Sequence, residues 1–355
     1  MLKYRGVDKE RLKNFLKPYS KLFNSSNHNE ISKTYTAILP KLPLSQTKRE
    51  FGVLKLSGLC KSFGKHDVLK NVNLTIEPKK ITAIIGVSGS GKTTILKSII
   101  GFYLPTKGVI SYKNENIFNN LKDIQRSFGF AAQDDSFYFK LDVEENVRYF
   151  GKLYGLTAEF LDIHIPSLLK LVGLYEARKT LSENLSTGMR RRLDIACALI
   201  HDPNVLIMDE PTQDLDPHLR HDILDLIKKI NKNGTTVIFT SHLLEEVDKV
   251  ADTVEVLFDG TILKSGTPDQ IKDNFSKYKE IHLYTTPGNY KKLFGLDSVI
   301  KKVVIKDKGV VIYTLDSEKV LEKILPRIKR NREKIIELHV RKPTLTEVFE
   351  YLTKK

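Results

Sequence analysis

A glycine-rich stretch of nine residues, Gly86–Thr94, constrains this chain more than any other feature. It reads Gly86-Val87-Ser88-Gly89-Ser90-Gly91-Lys92-Thr93-Thr94. The apolar run Ile81–Ile85 before it is typical of a buried strand, and the apolar spacing of Ile95–Ile100 after it favours a helix. A loop with this spacing between a strand and a helix is typical of phosphate binding.

The residue types of this loop suit a nucleotide. Glycines let backbone N–H groups turn inward around a phosphate, and the following helix adds the positive end of its dipole. Lys92 is expected to reach the outer phosphates, and the Thr93 hydroxyl is expected to ligate Mg²⁺. An ordinary Gly/Ser-rich turn is the alternative, and the strand-to-helix context argues against it. The sequence therefore predicts a nucleotide-binding protein.

A second chemical stretch ends another apolar run. The segment Asn204–Met208 is predicted to be a buried strand, and Asp209 and Glu210 follow it. Carboxylates at this edge of a sheet lie where open α/β folds bind their ligands. Asp209 suits the holding of Mg²⁺, and Glu210 suits the deprotonation of an attacking water. Together with the phosphate loop, this pair predicts an ATPase.

Four further positions carry chemistry that a nucleotide could use. Ser186 and Gly188 open a predicted helix, whose N-terminus can offer a hydroxyl and N–H groups to a γ-phosphate. His242 ends the apolar strand 235–241 and could hydrogen-bond the same phosphate, although a lone histidine there is usually a surface or capping residue. Phe63 suits stacking on adenine, although an isolated phenylalanine is more often core.

Length and composition fit an ordinary packed chain of more than one domain. The sequence has 355 residues, of which 41% are hydrophobic. We find no run near the ~20 apolar residues of a membrane span, and the start lacks the apolar core of a signal peptide. Cys60 and Cys197 are too few for a disulfide framework or a metal cluster, so we expect a reduced cytosolic setting.

The net charge of +15 is concentrated at the two ends of the chain. Residues 1–50 hold 11 Lys and Arg against 4 Asp and Glu, and residues 275–355 hold 19 against 10. The middle, 51–274, holds 28 against 29. Basic flanks favour an anionic partner, either lipid headgroups or nucleic acid, and a merely solvated basic surface is the alternative.

These shifts divide the chain into three parts. Residues 1–50 are predicted to be a basic extension, with an amphipathic helix over 8–23 that suits a membrane surface or its own domain, followed by a linker. Residues 51–274 hold the motifs above, and 275–355 form a small α/β domain. The nucleotide-binding part is predicted to begin with separate strands at Phe51–Leu56, Cys60–Gly64 and Val72–Ile76.

The last part is predicted to mix strands and helices. Its predicted elements are a strand at Glu280–Tyr284, a hairpin over 303–313 with Gly309 in its turn, a helix at Val320–Leu325, a strand at Ile335–Val340, and a closing helix at Val348–Leu352 that the capping box Thr344–Glu347 opens.

The order of these motifs resembles the ATP-binding cassette (ABC) family over residues 51–270. The matching landmarks are the aromatic Phe63, the Walker A loop Gly86–Thr94, the Q-loop Gln133, the signature Leu185–Met189, the Walker B strand Val205–Glu210, the D-loop Asp214–Asp216 and the switch His242. In the signature, Met189 stands for Gln and Thr187 for Gly. Because a β-branched residue resists φ > 0 and adds bulk beside the γ-phosphate, Thr187 is expected to weaken dimer closure.

The resemblance implies an α/β fold. This is the P-loop NTPase cassette, with a mixed core sheet and helices, an antiparallel subdomain and a helical subdomain, followed by the small C-terminal α/β domain. That last domain resembles the extension of cassettes that serve antibiotic, drug or polysaccharide exporters, including its closing segment Pro343–Phe349.

The resemblance also implies a site for ATP and Mg²⁺. ATP would be bound by Phe63, by the loop Gly86–Thr94, and by Ser186 and Gly188 of a partner cassette. Thr93, Gln133 and Asp209 would hold Mg²⁺. Glu210 would activate water, with His242 and Gln133 completing the catalytic set.

Partners follow from the same resemblance. A single cassette needs a second nucleotide-binding subunit, either another copy or a paralogue, in a head-to-tail dimer. Dimer closure would drive a separate polytopic membrane protein from the cytoplasmic face of the cell membrane, to which this chain would be peripheral. Gln133 and Phe137–Phe139 lie where the family receives a coupling helix. No specific nucleic acid is expected.

Two other readings stay open. A soluble cassette ATPase acting on ribosomes or nucleic acid would use the basic flanks, although such proteins usually carry two cassettes or long coiled-coil insertions. A phosphotransferase kinase would leave the signature and His242 without a role. The sequence alone leaves open the transported substrate, export against import, homodimer against heterodimer, and the role of residues 1–50.

Overall fold

The computed structural model of the chain describes residues 51–275, 279–288, 290, 300–306 and 309–341. The predicted amphipathic helix and linker within 1–50, and the predicted closing helix at Val348–Leu352, lie outside the described residues. Among the described residues, no helix combines the length and the apolar character that crossing a bilayer requires.

The described elements follow one another along the chain in a mixed order. The strands are β1 (Leu54–Phe63), β2 (His66–Ile76), β3 (Ile81–Ile85), β4 (Lys107–Tyr112), β5 (Glu115–Asn116), β6 (Phe128–Ala131), β7 (Val205–Met208), β8 (Thr236–Ser241), β9 (Thr253–Phe258), β10 (Thr261–Gly266), β11 (Lys279–Thr286), β12 (Ile300–Lys306), β13 (Gly309–Thr314) and β14 (Lys334–Arg341). The α-helices are α1 (Lys92–Ile99), α2 (Leu121–Ser127), α3 (Val143–Leu153), α4 (Ala158–Val172), α5 (Thr187–Leu199), α6 (Pro217–Lys232), α7 (Leu244–Val250), α8 (Pro268–Phe275) and α9 (Ser317–Arg330).

The central sheet has the order β10-β9-β3-β8-β7-β6. Strands β9, β3, β8, β7 and β6 run parallel, and β10 is an antiparallel edge strand. Every residue of β3, β7 and β8 is buried, as expected for parallel strands that are covered on both faces. The predicted strand Ile81–Ile85 is confirmed as β3.

The two faces of the central sheet support two hydrophobic cores. Ala83 faces a core with the apolar sides of α3, α4, α5 and α6, to which Val147, Leu193 and Ile227 contribute. Ile84, the next residue along β3, faces a second core that α1 and the antiparallel sheet share. Alternate residues of one strand therefore join the antiparallel and helical parts to the same sheet, and the predicted cassette fold is confirmed.

The antiparallel sheet corrects the predicted bounds of two strands, and one of them, β2, begins at His66 where the sequence predicted Val72. The order of this sheet is β2-β1-β4-β5, and β1 is a single strand where the sequence predicted two, at Phe51–Leu56 and Cys60–Gly64. Gly58 has φ +61°, and the register with β2 shifts between Leu56 and Leu59. A bulge at a glycine lets the strand continue past the point where the sequence pattern breaks.

The C-terminal sheet has the order β12-β13-β11-β14 and is antiparallel throughout. Helix α9 packs on it, and Ile281, Ile312 and Ile324 form part of a separate small core. The predicted strands, hairpin and helix of this part are confirmed within the described residues. Gly309, however, begins β13 opposite Lys306 and does not lie in the turn between the strands.

Candidate functional site

The predicted site residues follow four neighbouring parallel strands. The loop Gly86–Thr94 follows β3, His242 follows β8, Asp209 and Glu210 follow β7, and Gln133 lies just after β6. These strands are adjacent in the order β3-β8-β7-β6, so their carboxyl ends meet along one edge. Topology therefore brings together residues that are up to 156 positions apart in the sequence, from Gly86 to His242.

The loop needs its glycines for different reasons. Gly89 and Gly91 have φ of +80° and +107°, which a residue with a side chain adopts only under strain. Gly86 has no such torsion, but a Cβ there would lie 2.5 Å from both the Leu257 carbonyl oxygen and Ser90 Oγ. The first glycine therefore allows close packing, and the other two allow the turn.

Lys92 begins α1 and lies inside the loop. Its Nζ donates hydrogen bonds to the carbonyl oxygens of Gly86, at 2.9 Å, and Val87, at 3.3 Å. The same nitrogen lies 3.2 Å from Glu210 Oε1, and both side chains are 8% exposed. The loop lysine and the predicted base are therefore a buried ion pair.

Glu210 is held from a second side as well. Its Oε2 accepts hydrogen bonds from His242 Nδ1, at 2.9 Å, and from the His242 backbone N–H, at 3.3 Å. Its backbone φ is +48°, a left-handed conformation that is uncommon for a side-chain-bearing residue and often marks functional positions. The three residues Lys92, Glu210 and His242 form one contiguous group.

Thr240 contacts both residues of the Walker B pair, the side chain of Asp209 and the backbone of Glu210. Its Oγ1 donates to Asp209 Oδ1, at 2.6 Å, and accepts the backbone N–H of Glu210, at 2.8 Å. Asp209 also donates its own N–H to the Ala131 carbonyl, at 3.0 Å, and is 2% exposed. Thr240 is not among the residues predicted from the sequence, although a hydroxyl two residues before His242 on a buried strand was a signal for it.

Gln133 contacts residues that the sequence did not single out. Its Nε2 donates to Gln213 Oε1, at 2.9 Å. Arg191 donates from Nη1 to the Ala132 carbonyl and from Nη2 to the Gln133 carbonyl, both at 2.8 Å. The helix that follows the signature therefore holds the backbone on which Gln133 lies. No local pattern marks Gln213 or Arg191 for these contacts.

Asp194 connects the same helix to the segment after Gln133. The Ser136 backbone N–H donates to its Oδ1, at 2.9 Å, and the side chain is 0% exposed. Burial raises the pKa of Asp194 to about 7, against the lowering effects of the Ser136 hydrogen bond and of Arg191. The carboxyl group therefore titrates near neutral pH.

The signature residues lie at the start of α5. Ser186 is the N-cap, as predicted, and its hydroxyl accepts the Met189 backbone N–H at 3.3 Å. Gly188 is buried, and a Cβ there would lie 3.0 Å from a methyl carbon of Leu219. Among the described residues, no hydrogen bond or ion pair joins Ser186 or Gly188 to the loop Gly86–Thr94 of the same chain.

The position of Thr187 differs in part from what the sequence predicted for the signature. Thr187 is the first helical residue of α5, it is exposed, and its φ is not positive. The predicted conflict between a β-branched side chain and φ > 0 is therefore wrong, because a helical backbone accommodates threonine. The effect of its bulk beside a γ-phosphate stays a prediction.

Phe63 ends β1 with a surface ring. It is 43% exposed, contacts Tyr103 edge to face with ring centroids 5.0 Å apart, and has Lys61 Nζ 4.9 Å from its centroid. The structure therefore does not support the alternative that Phe63 is a core residue. A partly exposed ring suits stacking on a planar base.

The proposed metal ligands suit Mg²⁺ by their chemistry. Thr93, Gln133 and Asp209 offer a hydroxyl, an amide oxygen and a carboxylate, which are the hard oxygen donors that Mg²⁺ prefers. They follow β3, β6 and β7 at the shared edge of the sheet. The structure is therefore compatible with one Mg²⁺ beside the phosphates.

Family comparisons agree with the fold. Residues 69–213 match the family model described as ABC transporter, and residues 266–351 match the C-terminal domain of DrrA1-3-like ATP-binding proteins. The Nod factor export ATP-binding protein I of Rhizobium sp. (strain N33) is 32% identical over 301 residues, covering 84% of this chain and 96% of the relative. The linearmycin resistance ATP-binding protein LnrL of Bacillus subtilis (strain 168) is 30% identical over 305 residues, covering 85% and 98%.

Solved structures resemble the nucleotide-binding part. The cbiO1 protein of Clostridium perfringens, part of the ABC transporter complex cbiONQ, aligns with a TM-score of 0.59 and 28% identity, covering 62% of this chain and 91% of that one. An ATP-binding cassette solved as a dimer in a post-hydrolysis state, bound to ADP and phosphate, aligns with a TM-score of 0.54 and 28% identity, covering 60% and 98%.

Proposed function

The chain belongs to the ATP-binding proteins of the ABC transporter family, of the exporter type, and on that premise we propose that it hydrolyses ATP with Mg²⁺ to drive a separate membrane protein. The observation that carries this proposal is the group Lys92–Glu210–His242. It joins the phosphate loop, the carboxylate after β7 and the imidazole after β8 in direct contact. A phosphate-binding cation beside a fixed carboxylate is an arrangement that suits water attack on a phosphoryl group.

The loop and its lysine would hold the outer phosphates. Backbone N–H groups and the N-terminus of α1 provide positive potential there. A phosphate that attracts Lys92 Nζ would draw it away from Glu210 Oε1, because a single ammonium serves both anions. ATP binding would then release Glu210 Oε1 from its ion pair, so that this oxygen of the proposed base could accept a proton.

Glu210 would take the proton from the attacking water, with His242 keeping its other oxygen fixed. Mg²⁺, when bound, supplies charge neutralisation on the phosphate oxygens. Thr93, Gln133 and Asp209 are the residues that would hold it, and Thr240 sets the direction of the Asp209 carboxylate.

A partner cassette would complete the site. Ser186 is exposed at the N-terminus of α5, where its hydroxyl and the helix dipole could meet a γ-phosphate bound by another copy or a paralogue. The similarity to a cassette solved as a dimer with ADP and phosphate supports this arrangement. We propose that the two cassettes dimerise head to tail, with two ATP between them.

A membrane partner is proposed from the relatives and from the surface beside Gln133. Tyr138 and Phe139 are 50% and 42% exposed, whereas Phe137 is buried. Tyr138 contacts Tyr149 through both ring and hydroxyl. This aromatic surface suits a coupling helix from a polytopic protein, and would place the chain at the cytoplasmic face of the membrane.

The test is recovery of the protein with its partner from detergent-solubilised membranes of its own cell. The tagged protein and a variant with Tyr138→Ser and Phe139→Ser are purified in parallel, and the bound proteins are identified by mass spectrometry. A stoichiometric polytopic protein recovered with the unsubstituted chain and depleted from the variant is expected. Ribosomal proteins or nucleic acid in its place would contradict the transport proposal.

A further inference from the structure

The side-chain hydrogen bond between Gln133 and Gln213 joins two segments of the site. Gln133 lies just after β6, and Gln213 lies five residues after the end of β7. The Gln133 Nε2 donates to Gln213 Oε1 at 2.9 Å. The sequence motifs give Gln213 no role, and its neighbour Asp214 begins the D-loop.

The backbone on the Gln133 side is fixed independently. Arg191 bonds the successive carbonyls of Ala132 and Gln133 with its two terminal nitrogens, and the Arg191 side chain is 11% exposed. A planar guanidinium that grips two carbonyls at once restrains the direction of both peptide units. The remaining freedom of Gln133 therefore lies in its side-chain torsions.

The backbone on the Gln213 side is fixed by a tight turn. The Gln213 N–H donates to the Glu210 carbonyl at 3.1 Å. Glu210 and Asp214 on either side of the turn have φ of +48° and +59°. Gln213 is thereby directed from the same turn that carries the proposed base.

An amide side chain has a donor end and an acceptor end, and this decides what Gln133 can offer a metal. Its NH₂ group donates and cannot ligate Mg²⁺, whereas its oxygen can. Rotation of the terminal amide by half a turn would exchange the two. As long as Gln213 presents its oxygen to Nε2, the Oε1 of Gln133 is directed away from Gln213.

We propose that Gln213 is a positioning residue that sets the amide of Gln133 so that its oxygen would be available to ligate Mg²⁺. This inference rests on the proposed role of Gln133 as a ligand. Gln213 acts through Gln133 and needs no contact with the nucleotide or the ion. Partners of metal ligands commonly change metal affinity about 10- to 100-fold when they are replaced.

The test uses Mn²⁺ as the probe ion. Free Mn²⁺ is measured by electron paramagnetic resonance during titration of the full chain saturated with ADP. Gln213→Met keeps the length of the side chain without its acceptor, and Gln213→Glu keeps an acceptor. We expect Gln213→Met to weaken Mn²⁺ binding about tenfold and Gln213→Glu to stay within about threefold of the unsubstituted protein.

Two controls separate the hydrogen bond from other effects. Affinity for ADP in EDTA should be the same in all variants, because it depends on the loop and on Phe63 and not on Gln133. In a Gln133→Ala background, Gln213→Met should produce no further loss of Mn²⁺ affinity. Gln213→Glu in the same background measures the effect of the added negative charge alone on Mn²⁺ affinity. Because the pair lies at the surface, these variants should fold normally.

The outcomes distinguish this inference from the proposed function. Unchanged Mn²⁺ affinity in Gln213→Met, with a loss in Gln133→Ala, would overturn the role of Gln213 and leave Gln133 as a ligand. An effect of Gln213→Met that is equally large in the Gln133→Ala background would also overturn it. Unchanged affinity in Gln133→Ala would overturn the ligand assignment and the inference together.

Discussion

Lys92 Nζ lies 3.2 Å from Glu210 Oε1, and the two side chains are each only 8% exposed. The other carboxylate oxygen accepts from His242 Nδ1 at 2.9 Å. Lys92 therefore pairs with the proposed base and also lies in the loop that we propose binds the phosphates. Breaking a buried ion pair on one side leaves an uncompensated charge, which is costly.

Lys92→Met should lose both nucleotide binding and stability. Methionine fills the space of the lysine stem but leaves Glu210 Oε1 without its cation, so we expect a loss of about 3 kcal/mol in the free energy of unfolding. The double variant Lys92→Met/Glu210→Gln should recover part of that stability and none of the binding. Urea unfolding and titration with a fluorescent ATP analogue measure the two effects. Undiminished nucleotide affinity in Lys92→Met would contradict the placement of the phosphates.

Glu210→Gln should keep ATP binding and lower steady-state hydrolysis by about 10²-fold or more, because the amide cannot accept the proton from water. ATP affinity and phosphate release are measured on the same preparation. Glu255→Gln is the matched control, since Glu255 is also a buried glutamate but lies on β9, and among the described residues no hydrogen bond or ion pair joins it to this group. Turnover by Glu210→Gln at the rate of the control would remove Glu210 as the base.

The sequence predicted what depends on neighbouring residues. The loop Gly86–Thr94, the buried strand before it, the helix after it and the N-cap Ser186 all follow from local spacing, and the structure has them there. The motif order gave the fold class for the same reason. Motif order does not predict which side chains come into contact when strands that are far apart in the sequence become neighbours in the sheet.

The missed contacts are all of that non-local kind. Lys92 follows β3 and Glu210 follows β7, and they meet across β8, which lies between these strands. No pattern in the sequence gives that strand order. Arg191 reaches Gln133 across 58 residues, through a helix packed on β6. The predicted strand break near Gly58 is wrong because a glycine usually ends a strand but here forms a bulge.

Ser186→Asp should prevent ATP-dependent dimerisation without unfolding the chain. Aspartate is as good an N-cap as serine, so α5 should keep its start, but a carboxylate would repel the partner's γ-phosphate. Ser186→Thr keeps both the cap and the hydroxyl and is the matched control. Both are made in a Glu210→Gln background and compared by light scattering with and without ATP. Dimerisation of the aspartate variant would argue against the signature contact.

Phe63→Ala should weaken the binding of ATP but not of inorganic triphosphate, which has no base. Stacking on an aromatic ring contributes about 0.5–1.5 kcal/mol, so we expect ATP affinity to fall several-fold. Phe63→Trp keeps a ring and should bind ATP normally. Competition of both ligands against a fluorescent nucleotide separates the two contributions. Equal loss for ATP and triphosphate would show that Phe63 acts on the phosphates or on folding.

Glu255→Gln should flatten part of the pH dependence of stability. Glu255 is 1% exposed, its Oε1 accepts the Ser265 hydroxyl at 2.7 Å, and its Oε2 has no hydrogen-bond partner among the described residues. Burial raises the pKa of Glu255 from 4.5 to about 7, against the lowering effect of Ser265. Between these values the folded chain holds a proton that the unfolded chain releases, so stability falls as pH rises through this window.

The loss from Glu255 is at most about 3 kcal/mol above pH 7, and glutamine, which does not ionise, should avoid it. We compare the melting temperature of Glu255→Gln with that of the unsubstituted chain at each pH. The difference between the two should increase in favour of the variant by several degrees from pH 5 to pH 8. The pKa of Asp194, also about 7, should leave a residual fall in both proteins. Burial lowers the pKa values of His164 and His201 to about 4. Their ionisation changes stability only below pH 6.5, and it does so equally in Glu255→Gln and in the unsubstituted chain. A difference in melting temperature that is constant across this range would show that Glu255 is ionised in the folded chain at pH 5.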